Sequence, residues 1–169
     1  MSERRLLKRL LPVLFLVLLP AVAAAAGPGK AKDRAPVPVG KEERCPVCGM
    51  FVAKFPDFMA LVRFKDGRRA VFDGAKDMFK FLFDLNGYFP GTKASDITGI
   101  QVTDYYGLVA TDGRAAYYVI GSDVYGPMGK ELVPFETEAD AREFLKDHGG
   151  TAVLRFRDVT PAVLRPLDE

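Results

Sequence analysis

"MALVRFKDGRRAVFDGAKDMFKFLFDLNG", residues 59–87, is where the fold can first be read. Two apolar runs, Ala60 to Phe64 and Ala70 to Phe72, flank Asp66-Gly67. That dipeptide favours the turns that close hairpins, so the stretch predicts two antiparallel strands. Asp73 then stands where a helix N-cap belongs. Behind it Met78, Phe79, Leu82 and Phe83 recur at helical spacing, and Gly87 is placed to end the helix. The aromatic stripe reads as a core-facing helix surface rather than a cofactor box. After Pro90-Gly91, "ITGIQVTDYY" (97–106) reads as a third strand that includes Tyr105 and Tyr106. The order is β-β-α-β.

The same order returns downstream. "RAAYYVIGS" (114–122) is rich in strand formers, and Leu132 to Phe135 is a short strand. "ETEADAREFLKDHGG" (136–150) is a helix closed by Gly149-Gly150, with Thr137 and Asp140 spaced as a capping box. "TAVLRFRDV" (151–159) follows as a strand. The expected fold class is α+β, one domain over 41–158 made of two tandem ββαβ lobes, about 45–104 and 105–158. Residues 159–169 read as a C-terminal tail.

Upstream, residues 1–26 have the form of a signal peptide. Arg4, Arg5, Lys8 and Arg9 precede the apolar run Leu10 to Leu19, and the alanines to Ala26 suit a signal peptidase. No cysteine lies near the cleavage region, so the expectation is an exported, periplasmic protein without a lipid anchor at that point. Membrane contact is expected only if this segment is retained. The chain has 24 basic and 22 acidic residues; removing four basic and one acidic with the leader leaves 20 and 21. The apparent basicity belongs to the leader, and a nucleic-acid partner is excluded. Residues 27–40, small, Pro-rich and charged, read as a flexible linker.

Between linker and hairpin lies "RCPVCGMFV", residues 44–52, which holds the only two cysteines, Cys45 and Cys48, with Met50 close behind. Three chemistries compete for it. A structural zinc needs four protein ligands, and no second pair is apparent; the single histidine, His148, sits at a helix C-terminus, where the helix dipole favours it. A redox pair is the second reading: a thiol-disulfide oxidoreductase using Cys45 and Cys48. Such a pair usually opens a helix, and here Gly49 and Pro56 break any long one. A soft metal is the third, since thiolate and thioether together select Cu(I). Met128, between Pro127 and Gly129 in a turn-rich loop, is a second thioether candidate.

At these residues the chain resembles the NosL family, exported copper-binding accessory proteins of nitrous oxide reductase maturation. The resemblance rests on "CGMFVAKFPDFMALVRFKDG" (48–67), "AVFDGAKDMFKFL" (70–82) and "YYVIGSDVYGPMGKELVPFETEADAREFLKDHGG" (117–150). It implies two ββαβ lobes similar to the metal-binding part of organomercurial lyase. It also implies no enzymatic activity, but a metallochaperone that passes Cu(I) to a copper-accepting enzyme, nitrous oxide reductase, with its assembly factors. By position, Cys48 and Met50 match the Cys-Gly-Met motif and Met128 the methionine of the Gly-x-Met-Gly loop. The implied metal residues are Cys48, Met50 and Met128, with Cys45 as a further thiol. The chain departs from the commoner pattern in carrying Cys45, and in having "VAKFPD" (52–57) where a histidine often follows the motif.

Overall fold

The computed structural model describes residues 35–169. The expected leader, 1–26, and linker residues 27–34 lie outside the described residues.

The hairpin forms where expected. Strand β1 (Ala60–Phe64) pairs antiparallel with β2 (Arg69–Phe72), Ala60 facing Phe72 and Arg63 facing Arg69. Gly67 supplies a left-handed φ of 84° in the turn, and its N–H donates to Phe64 O at 3.1 Å. Helix α1 (Ala75–Phe83) follows. It stops at Asp84, earlier than Gly87. Asp84 starts a separate short helix, α2 (Leu85–Tyr88), by accepting from the Gly87 N–H, so Gly87 lies inside the second helix. Strand β3 (Ile97–Asp104) returns along the free edge of β1.

Tyr105 and Tyr106 do not continue that strand. Asp104 ends it by accepting the Gly107 N–H at 2.7 Å, and Leu108 takes a left-handed φ of 54°. The chain doubles back as β4 (Val109–Asp112), paired with β3. The first sheet therefore has the order β2-β1-β3-β4, and the boundary between lobes falls after Asp112 rather than after residue 104.

The second unit contains β5 (Tyr117–Ile120), a small ribbon of β6 (Tyr125–Gly126) and β7 (Gly129–Lys130), then β8 (Val133–Phe135). Helix α3 (Glu138–Asp147) and strand β9 (Ala152–Arg155) complete it. Its sheet order is β8-β5-β9. In both units the first strand is central, flanked by the strand before the helix and the strand after it. Thr137 caps α3 through the Asp140 N–H at 3.1 Å, and Gly149, at φ 62°, turns the chain out of it.

Alternation along β5 and β9 gives the second sheet two apolar faces. Val119 joins Phe135, Ala141 and Phe144 under α3. Tyr118 faces the other way into the main core, where Leu154 and Ile120 pack beside it. Helix α1 joins the units: Phe81 packs on Phe72 of the first sheet, and Phe79 on Tyr118 of the second and on Phe156 just beyond β9.

Both flanking segments belong to this core. Val37 is buried, and the Ala110 N–H donates to Ala35 O at 3.0 Å. The expected tail buries Val159, Leu164 and Leu167 and forms helix α4 (Pro161–Leu164), capped by Thr160. The reason is apolar spacing too short to register as a helix in sequence but sufficient to cover α1.

Candidate metal centre

Residues 45–50 form a tight turn held by its own backbone. The Cys45 N–H donates to Met50 O and the Gly49 N–H to Cys45 O, each at 2.9 Å. Gly49 has φ 79°, a conformation that glycine adopts without strain. Arg44 and Phe51 pair across the base, and the Arg44 guanidinium lies 3.6 Å over the Phe51 ring centroid. This geometry turns amides toward sulfur. The N–H groups of Cys48 and Val47 point at the Cys45 sulfur, and that of Met50 at the Cys48 sulfur. Such donors stabilise thiolate charge of the kind a bound metal requires.

The partners of the thiols come from the start of α1. Cys45 Sγ donates to Asp77 Oδ2 at 3.3 Å, and Cys48 Sγ to Asp73 Oδ1 at 3.1 Å. One donor atom from each of the four residues lies within 4.8 Å of the others. Asp73 is 1% exposed, and its Oδ2 is buried without a hydrogen-bond partner. An orphaned carboxylate oxygen beside two sulfurs fits a site that receives a cation. Burial pushes both thiols up, Cys45 strongly and Cys48 to about 12, with the neighbouring carboxylates adding to the rise. Both cysteines are free rather than disulfide-bonded.

Asp73 is therefore not the helix N-cap. Gly74 occupies that position and offers no side chain. The cap is supplied from the other unit: Glu131, 3% exposed, accepts the Lys76 N–H at 2.6 Å and the Leu132 N–H at 2.9 Å. A Cβ on Gly74 would collide with the Glu131 carboxylate, so this approach requires glycine. Released from capping, Asp73 turns to Cys48. Asp77, one helical turn on, faces Cys45.

Of the residues singled out in the sequence, Cys45 and Cys48 meet in the cluster, and Met50 lies half-buried at the end of the same turn. Met128 belongs to the second unit, in the turn between β6 and β7. Its loop is tied to α1 by the buried Lys76, whose Nζ donates to Met128 O and to Leu167 O, both at 2.8 Å. The Met128 side chain is 46% exposed. His148 is engaged elsewhere, stacked on Phe144 with ring centroids 4.3 Å apart and with Nδ1 2.9 Å from Asp123 Oδ1.

Sequence reasoning missed Asp73 and Asp77, and with them a full count of donors: two thiols and two carboxylates now make four. The only signal was their spacing of four across the start of the helix. The redox reading lacks its physical basis here. Neither cysteine opens a helix, and both thiols are pushed up, opposite to what a reactive thiolate needs.

Fold and site together define a small α+β protein of two antiparallel-sheet units, with a thiol–carboxylate cluster where the Cys-x-x-Cys turn meets the first helix. The NosL family model matches residues 36–164, and the chain belongs to that family. The copper-binding lipoprotein NosL of Stutzerimonas stutzeri is 31% identical over 133 residues, covering 77% of this chain and 68% of the relative. Among solved structures, the copper chaperone NosL from Shewanella denitrificans superposes with a TM-score of 0.64. Its sequence identity is 24%, and the match covers 76% of this chain and 98% of that one, a likeness of fold. Apo-NosL from Achromobacter cycloclastes matches with a TM-score of 0.44 at 25% identity, covering 62% and 87%.

Proposed function

We propose that this protein binds Cu(I) in an exported, periplasmic setting and hands it to a copper enzyme, with no catalysis of its own. The observation that carries the reading is the pair of inward-facing thiols, each supplied with backbone N–H donors, in one cluster. Polarisable sulfur suits a polarisable monovalent ion, whereas carboxylate oxygens are hard donors and suit it poorly. Cys48 is the anchoring thiolate, Cys45 the second, and Met50 and Met128 are the thioethers. Asp73 and Asp77 accept hydrogen bonds from the two thiols in the metal-free protein. Family membership supports nitrous oxide reductase as the acceptor, and also supports architectural kinship with the metal-binding part of organomercurial lyase.

Anaerobic titration of the reduced protein with Cu(I) against a competing chelator tests this. We expect one-to-one binding that Cys48→Ser abolishes and that a Met50→Ala/Met128→Ala double variant weakens. Full affinity in Cys48→Ser would remove Cys48 from the site. Transfer to metal-free nitrous oxide reductase, followed by its visible spectrum, tests the acceptor.

A further inference from the structure

A cavity of about 610 Å³ opens between α3 and the β5–β9 edge. Four arginines line it: Arg114, Arg142, Arg155 and Arg157. Two of them have acidic neighbours, Arg142 through Glu138 at 2.6 Å and Arg157 through Asp158 at 3.7 Å. Arg114 and Arg155 form no ion pair among the described residues. The Arg155 guanidinium lies flat on Tyr117, 3.9 Å from the ring centroid, and its Nη1 is buried with no hydrogen-bond partner. A desolvated guanidinium N–H without an acceptor is costly. The planar fork of donors matches phosphate or carboxylate oxygens.

A second cavity, about 330 Å³, adjoins the first and is apolar, lined by Phe79, Leu82, Phe83, Ile97, Ile100 and Val159. Arg114, Phe156 and Arg157 line both. Phe83, at its rim, is 44% exposed. The two cavities thus meet at Arg114, Phe156 and Arg157, one arginine-rich and the other hydrocarbon-like. The apolar cavity meets the C-terminal half of α1, whereas the metal centre sits at the N-terminal end.

We propose that the joined cavities bind one anionic amphiphile, its phosphate or carboxylate head on Arg155 and Arg114 and its alkyl chain along Phe83, Ile97 and Ile100. Charge complementarity selects the head: the two unpaired guanidiniums face the same cavity, and one has an unmet donor. The aliphatic and aromatic lining selects the tail, which gains by leaving water.

Isothermal titration of the purified protein with decyl phosphate, below its micelle concentration, and with inorganic phosphate tests the proposal. One-to-one binding of decyl phosphate is expected, at least tenfold tighter than inorganic phosphate. Arg155→Gln should weaken it at least tenfold, and so should Arg114→Gln, an exposed position that serves if the first variant fails to fold. Phe83→Gln should weaken decyl phosphate and leave inorganic phosphate unchanged. Cu(I) affinity should stay at the wild-type value in all three, which separates this site from the metal centre. No saturable binding, equal affinity for the two phosphates, or indifference to both arginine variants would overturn it. Sedimentation with phosphatidylglycerol vesicles without binding of monomeric decyl phosphate would also overturn it, leaving the arginines as a membrane-surface patch.

Discussion

At Cys48 the thiol proton is directed at the buried Asp73 carboxylate, and burial together with that partner pushes the thiol up to about 12. The metal-free sulfur is thereby kept protonated and weakly nucleophilic at neutral pH. Iodoacetamide should alkylate Cys48 slowly at pH 8. Asp73→Asn, which removes the charge but keeps the shape, should speed the reaction; an unchanged rate would show that the carboxylate does not act on the thiol. The same substitution should raise Cu(I) affinity, because a thiolate that forms at lower pH binds the ion with less competition from the proton. Competition with a chelator would measure it.

At the scale of elements, α1 carries the design: its N-terminus holds the carboxylates of the metal centre, yet its cap and its tether come from distant segments. Burial pushes the Glu131 carboxyl up to about 7, against the N–H groups of Leu132 and Lys76, which favour its charge. The folded carboxyl therefore keeps a proton that the unfolded one loses near 4.5. Stability should fall as pH rises from about 4.5 to about 7 and then level off, by on the order of 1 kcal/mol per pH unit. Urea unfolding at pH 5 and 7.5 would show this, and Glu131→Gln should flatten it. Lys76→Met removes two hydrogen bonds from a buried ammonium, those to Met128 O and Leu167 O. A loss of about 2–4 kcal/mol is expected, with faster amide exchange in the 125–130 loop.

For the whole molecule, the two sheet units share the main core with α1 between them, and the terminal segment closes it. Leu164, buried in that core, should cost about 2–5 kcal/mol when changed to alanine, read from the denaturant midpoint at constant slope. Removal of residues 159–169 should cost more, because it uncovers Val159, Leu164 and Leu167 together and frees Lys76 from Leu167 O. A truncated protein with unchanged stability would mean that these contacts contribute nothing to the fold.

Much of this was already present in local chemistry. Asp66-Gly67 set the hairpin, the spacing of Met78, Phe79 and Leu82 set α1, and Gly149 set the end of α3, because turn conformation and helical periodicity are properties of a few adjacent residues. The thiols announced themselves by spacing alone. What the sequence could not express was choice between distant partners. Asp73 has the position of an N-cap and becomes a thiol acceptor only because Glu131, 58 residues away, takes the helix terminus and Gly74 leaves it room. The second half of the donor set, the pinning of the Met128 loop by Lys76, and the packing of the terminal segment are likewise long-range. Each depends on which buried polar group meets which, and only the closed tertiary structure, by removing water as the alternative partner, decides that.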